Sequence, residues 1–289
     1  MIDSIVLFLN GQRGVVVLDY LLQEGRNVVA IVAPEKSVFW EIAEKYNKKY
    51  LIKETQINNS EFVKKLTLLN PDIFIVSGFQ IIFKQPILSI PRLGVINLHG
   101  GYLPKYRGGS PLNWQIINDE NKIGVSIIFM DKGIDTGDIL AEEYFDLTDQ
   151  DDIHSVHHKA NIAFVRLVSQ VLVKFENNKL NLKKQNQLEA QYWIQRSEQD
   201  SFIDWNEVSA RQAFNLIRAL KLPYPPVFTY INNRKVFLYE AVVPTEIIKG
   251  RPGRVVYLQG KGPYIICKDH AILITKSSEE LISGMYLND

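Results

Sequence analysis

Residues 4–20 read SIVLFLNGQRGVVVLDY, and the fold follows from how this stretch changes character. Its first half is an unbroken apolar run, Ile5 to Leu9, as expected of a strand covered on both faces. Gly11 and Gly14 punctuate the exit, and a helical pattern takes over at 15–23. Further along, 28–32 reads as a second strand, 38–46 as a helix, and 59–69 as an amphipathic helix ending at Asn70-Pro71. Residues 73–76 and 95–98 are again strands. Strand–helix–strand alternation predicts a parallel α/β sheet. Ligands of such sheets sit beyond the carboxyl ends of the strands, here the loops after Leu9, Val76 and Leu98.

Past residue 100 the pattern predicts a helix at 111–118 and strands at 124–130 and 139–145. Thr148 with Asp151 three residues on has the spacing of a capping box. Beyond it, Ile153, Val156, Ala160, Ala163, Leu167, Val171 and Phe175 recur at intervals of three and four, the apolar stripe of a long helix. Residues 176–200 turn polar and read as a connector. A short helix at 210–220 stops at the cluster Pro223, Pro225, Pro226, and short strands follow at 228–231, 235–239, 254–258, 264–267 and 271–275. Even spacing of this kind predicts a small barrel or sandwich. The expected division is a catalytic domain at 1–200 and a β-rich subdomain at 201–289.

The chain has 289 residues, enough for one large domain and a smaller one. Lys+Arg is 33 and Asp+Glu is 32, a net charge of +1, which argues against a surface built throughout for nucleic acid or anionic membrane. One cysteine, Cys267, excludes an intrachain disulfide framework and a cysteine metal site. The run at 5–9 is too short for a signal-peptide core, and no apolar stretch approaches the length of a membrane span. A soluble cytoplasmic protein is expected.

Histidine is scarce, so each of the five is informative. His154, His157 and His158 share one face at the start of the long helix, a possible metal spacing. The plainer reading, a solvated first turn, is preferred. His270 falls in a turn. His99 differs, because it stands just past a buried strand and before Gly100-Gly101. Asn97, two residues earlier, shares its face. An amide and an imidazole so placed can both donate to one developing oxyanion. Three other segments compete between chemistry and packing. LPKYRGGSPLNW (103–114) is a ligand cradle or a plain loop. DKGIDTGD (131–138) is a carboxylate cluster or a surface turn. GFQIIF (78–83) is a ligand wall or a tight turn packed into the core.

Asn97-Leu98-His99, LPKYRG at 103–108 and GIDTGDI at 133–139 together resemble the motifs of the folate-dependent formyltransferases. Over most of the chain the pattern is closest to the branch acting on nucleotide-linked amino sugars of the dTDP type. The resemblance implies a Rossmann-like parallel sheet with formyltransferase topology and a small barrel-like C-terminal subdomain. It implies 10-formyltetrahydrofolate as co-substrate, no metal, a nucleotide-linked amino sugar as acceptor, a homodimer, and service to lipopolysaccharide O-antigen synthesis. Asn97, His99 and Asp135 become the catalytic set, with His99 the preferred general base. Phe79, Gln80, Ile81, Ile82 and Phe83 line the pterin on one side, with Gly133 and Ile134 on the other. Asn10, Gly11 and Arg13, at a helix N-terminus, become candidates for a substrate phosphate. Lys105, Tyr106 and Arg107 become candidates for a pyrophosphate, and Tyr224 for stacking on the base. One departure stands out: His99-Gly100-Gly101 lacks the serine that often follows the catalytic histidine in the family. Three alternatives remain. A methionyl-tRNA formyltransferase would need a basic surface, and 35–55 mixes both signs. A pure folate binder has no use for an oxyanion site. A formyl-folate hydrolase would use water as acceptor.

Overall fold

The computed structural model describes residues 2–34, the backbone of 51–53, and residues 57–288. The helix expected at 38–46 and most of the mixed-charge segment 35–55 lie outside the described residues.

The chain forms two compact units. The first comprises Met1–Pro111, Gly124–Phe145 and His158–Trp193. Its strands are β1 (Ile5–Leu9), β2 (Val28–Ala33), β3 (Leu51–Lys53), β4 (Ile73–Ser77), β5 (Val95–His99), β7 (Lys122–Phe129) and β8 (Ile139–Asp146), in the order β3-β2-β1-β4-β5-β7-β8. The run from β3 to β5 is parallel. β7 then pairs antiparallel with β5, setting Asn97 opposite Ile128 and His99 opposite Ser126. The sheet is therefore mixed: parallel from β3 to β5, as the alternation predicts, with β7 antiparallel to β5. Apolar periodicity reports burial and is blind to strand direction.

Helix α1 (Gln12–Gln23) follows β1 directly. Helix α2 (Ser60–Leu68) starts where the Asn59 side chain accepts from the Phe62 amide at 2.7 Å, and it buries Phe62 and Leu66. Those two pack with Val6, Phe8, Val32, Phe74 and Ile87 in one core cluster. Phe8 meets Phe74, Phe79 and Phe83 edge-on, at centroid distances of 5.2, 5.6 and 4.9 Å. Each such pair contributes ~0.5–1.5 kcal/mol beyond its buried area. Two rings expected against a pterin thus belong to the core. A short helix α3 (Gln85–Leu88) closes this segment.

The second unit comprises Leu112–Ile123, Asp146–His157 and Ile194–Asp289. It holds the five strands β10 (Val227–Ile231), β11 (Arg234–Val242), β12 (Val255–Leu258), β13 (Lys261–Ile266) and β14 (Ala271–Ser277), all antiparallel, in the order β10-β11-β14-β13-β12. Asn232 and Asn233 turn the first hairpin with φ of 49° and 60°, the left-handed pair a two-residue turn needs. Trp205 is fully buried, and its indole N–H donates to Thr229 Oγ1 at 3.0 Å. Cys267 is a buried free thiol, pushed up to about 12 by burial.

Helix α4 (Pro111–Ile117) precedes β7. The long helix α5 (Ile153–Glu176) buries all seven stripe residues. Its cap differs from expectation. Asp152 Oδ1 accepts from the amides of His154 and Ser155, at 2.9 and 3.0 Å. Thr148 and Asp151 close the preceding turn on each other instead. Helix α6 (Ala210–Ala219) has the true capping box, Ser209 with Gln212. Among the described residues no helix is long and apolar enough to cross a membrane. No group of three or more His, Cys, Asp or Glu among them is placed to hold a metal ion.

Candidate active site

Asn97 and His99 alternate along β5 and project from the same side of it. Asp135 comes from the loop between β7 and β8, 38 positions after Asn97 in the chain. Asn97 Nδ2 donates to Asp135 Oδ1 at 3.3 Å. His99 Nδ1 lies 3.5 Å from Asp135 Oδ2. The three groups converge as expected, with the carboxylate at the centre. His99 is 5% exposed and the Asp135 side chain 14%.

The loop after His99 holds both His99 and Asp135 in place. His99 Nε2 faces the Tyr106 carbonyl at 2.5 Å, so each ring nitrogen meets an oxygen acceptor. Gly101 makes this closure possible. A Cβ at that position would lie 2.6 Å from the Tyr106 carbonyl and 2.9 Å from His99 Nε2. A side chain at this position would require the loop or the ring to shift. A two-residue strand β6 (Arg107–Gly108) pairs in parallel with β9 (Tyr192–Trp193). It brings the Gly108 amide to Asp135 Oδ2 at 2.9 Å. Gly108 has φ +95° and lies so close to the Trp193 carbonyl that a Cβ would approach to 2.3 Å.

Asp135 itself has φ +53°. Aspartate tolerates the left-handed region better than most residues, yet the conformation still costs roughly 1 kcal/mol that neighbouring contacts must offset. Part of that support is local. Asp131 accepts from the Gly133 amide at 2.9 Å and from the Thr136 hydroxyl at 2.5 Å.

The remaining candidates divide. Gln80 is exposed and Ile81 half-buried, and Ile82 is 68% exposed, while Phe79 and Phe83 face the core. Gly133 and Ile134 are exposed, Ile134 at 55%. A cleft of about 480 Å³ is lined by Gln85, Leu88, Ser89, Met130, Asp131, Lys132 and Gly133, two positions short of Asp135. Arg13 is anchored, its Nη1 donating to the Leu98 carbonyl at 2.9 Å and its guanidinium 4.4 Å from the Phe164 ring centroid. Asn10 donates its backbone N–H to Ser77, and Gly11 precedes α1 with φ 92°. Lys105 is exposed, with Nζ 5.8 Å from the Tyr102 ring centroid. Tyr106 is 2% exposed and stacks on Trp193 at 5.6 Å. Beside that wall, burial and then Glu142 push the Tyr144 phenol up to about 12, so it stays protonated.

Arg107 needs correcting as a pyrophosphate ligand. Its side chain is wholly buried, and its guanidinium donates to Gln185, Gln187 and Tyr192. Tyr224 lies in the second unit, where its ring stacks on His157 at 6.0 Å and its hydroxyl meets His157 Nε2 at 2.8 Å. Gln185 and Gly108 were not singled out from sequence. Gln185 sits in a polar run without periodicity, and nothing in that run signals a role.

Residues 7–172 match the family described as formyl transferase, and residues 196–283 match the formyl transferase C-terminal domain. Over 275 residues the chain is 34% identical to a methionyl-tRNA formyltransferase of Caldanaerobacter subterraneus subsp. tengcongensis, covering 91% of this chain and 88% of that one. Over 293 residues it is 33% identical to the bifunctional polymyxin resistance protein ArnA of Wigglesworthia glossinidia brevipalpis. That match covers 98% of this chain but only 43% of the larger protein. In structure it resembles an N-formyltransferase from Helicobacter canadensis, solved with folinic acid and dTDP-3-aminofucose. The TM-score is 0.72 at 19% identity, over 99% of this chain and 100% of that one.

Proposed function

Because the chain belongs to the formyl transferase family, we propose that it moves a formyl group from 10-formyltetrahydrofolate to the amine of a nucleotide-linked amino sugar, a dTDP-amino-dideoxyhexose in type. The observation that carries the reading is the meeting of Asn97 and His99 on one carboxylate, Asp135. A pterin offers two ring faces for apolar contact and a hydrogen-bonding edge. Ile82 and Ile134 are large apolar side chains left exposed, and a shallow, open cleft lies beside Gly133. When bound, the folate supplies a formyl carbon open to nucleophilic attack.

Asn97 has a second amide hydrogen beyond the one given to Asp135, and it donates this to the formyl oxygen as that oxygen gains charge. A donor in this role contributes ~3 kcal/mol to lowering the barrier. Asp135 fixes the directions of the amide and the imidazole. His99 and Asp135 handle the protons as a coupled pair. The attacking amine gives up one proton, and the folate N10 takes one as its bond to the formyl carbon breaks. The pair therefore ends in its starting state.

The near-even charge, 33 basic against 32 acidic residues, supports a small acceptor over a polyanion. The likeness to a methionyl-tRNA formyltransferase supports a second reading, with charged initiator tRNA as acceptor. One assay separates them. The chain is incubated with 10-formyltetrahydrofolate and either dTDP-, UDP- and GDP-linked amino sugars or methionyl initiator tRNA. Formylation of a dTDP-amino sugar is expected. Turnover of the tRNA and of none of the sugars overturns the sugar assignment.

A further inference from the structure

We propose that Gln185 is a positioning residue for formyl transfer, holding the backbone of the loop that presents Asp135 from the far side of the buried Arg107. The inference rests on the reading of Asp135 given above. Gln185 Nε2 donates to the Asp135 carbonyl at 2.8 Å and to the Gly137 carbonyl at 2.7 Å, bracketing Thr136. Gln185 Oε1 accepts from Arg107 Nε at 3.0 Å and from Nη2 at 2.8 Å. Arginine has only donors and carbonyls only accept, so the amide has one possible orientation. Arg107 is locked in turn, because Nη1 donates to Gln187 Oε1 at 2.9 Å and to the Tyr192 hydroxyl at 2.8 Å.

Arg107 makes no ion pair among the described residues: its guanidinium hydrogen bonds go to neutral oxygens, and it lies 5.4 Å from the Tyr192 ring centroid. A buried cation kept without a carboxylate needs a reason beyond stability, since burying it is costly. The geometry supplies one. The same two-residue strand grips Asp135 twice, by the Gly108 amide on its carboxylate and by Arg107, through Gln185, on its backbone. A residue at φ +53° would otherwise relax, turning the carboxylate away from Asn97 and His99.

Gln185→Glu tests this. The new carboxylate still accepts from Arg107, so the fold is retained, but it repels the carbonyls of Asp135 and Gly137. The expected result is a kcat lower by about a hundredfold, the loss typical of a 1 Å misplacement, with KM for folate and acceptor within about threefold. Independently of activity, amide hydrogen exchange across 131–138 should accelerate about tenfold while β1 and β4 keep their protection. If circular dichroism shows Gln185→Glu unfolded, Gln185→Asn, one methylene too short to span both carbonyls, takes its place with the same readouts. Wild-type kcat in the variant overturns the proposal, and so does a kcat loss with loop exchange unchanged. The kinetic arm uses whichever amine the wild-type chain formylates and the exchange arm needs none, so a wrong acceptor assignment does not affect the test.

Discussion

His99→Asn is expected to lower single-turnover formyl transfer about a thousandfold while leaving the dissociation constant for 5-formyltetrahydrofolate within about threefold. Asparagine places its amide where His99 Nδ1 now lies, so a donor toward Asp135 is kept while the Tyr106 carbonyl loses its ring partner. Asparagine has no ring nitrogen to take up and return a proton, so the proposed proton transfer with Asp135 is lost. The buried site, 5% exposed at His99, gives water little chance to substitute. Rapid-quench assays measure the transfer rate, and ligand-induced fluorescence change measures binding. Transfer within tenfold of wild type contradicts the role given to this ring.

Asp135→Asn should cost a similar factor, between about a hundredfold and ten thousandfold in kcat, for a different reason. The backbone tolerates the change, because asparagine is enriched at positive φ as aspartate is. The side chain does not. Its carboxylate oxygens receive the Asn97 amide and the Gly108 amide and face His99 Nδ1. An amide there keeps one acceptor and sets an NH₂ against at least one of those donors. A small change in melting temperature beside the large loss in kcat is the expected pattern. Asp135→Val is the useful contrast, since a β-branched side chain at φ +53° adds strain and should destabilise the loop as well. If Asp135→Asn and Asp135→Val lose stability equally, Asp135 acts through folding and not through its charge.

Much of this site is legible from the chain, and the legible parts share a cause. The alternation in β5 puts Asn97 and His99 on one side whatever lies around them. The apolar stripe of α5 predicts burial because helical geometry is local. Asp135 is harder to place by pattern alone. It is recognised through the resemblance of its motif, and the structure then brings it to the strand.

The parts not legible depend on distant partners. Phe79 and Phe83 read equally well as a ligand wall or as core, and Phe8, some seventy positions away, decides for the core. Arg107 reads as a phosphate ligand because arginine in a glycine-rich loop usually faces solvent. A chain segment 78 positions later buries it. Gln185 carries no signal, since a glutamine in a polar run has no periodicity, and its value lies in accepting from one residue while donating to two others. The antiparallel entry of β7 is likewise a property of pairing rather than of composition.

Formyl transfer as proposed requires Asn97, His99 and Asp135 to surround one formyl carbon. A crystal structure of the chain with a stable 10-formyl folate analogue, one unable to release its formyl group, tests this most directly. The formyl oxygen is expected about 3 Å from Asn97 Nδ2, with a ring nitrogen of His99 within hydrogen-bond reach of the formyl group. A pterin seated against other residues, or a formyl group beyond hydrogen-bond reach of both side chains, contradicts it.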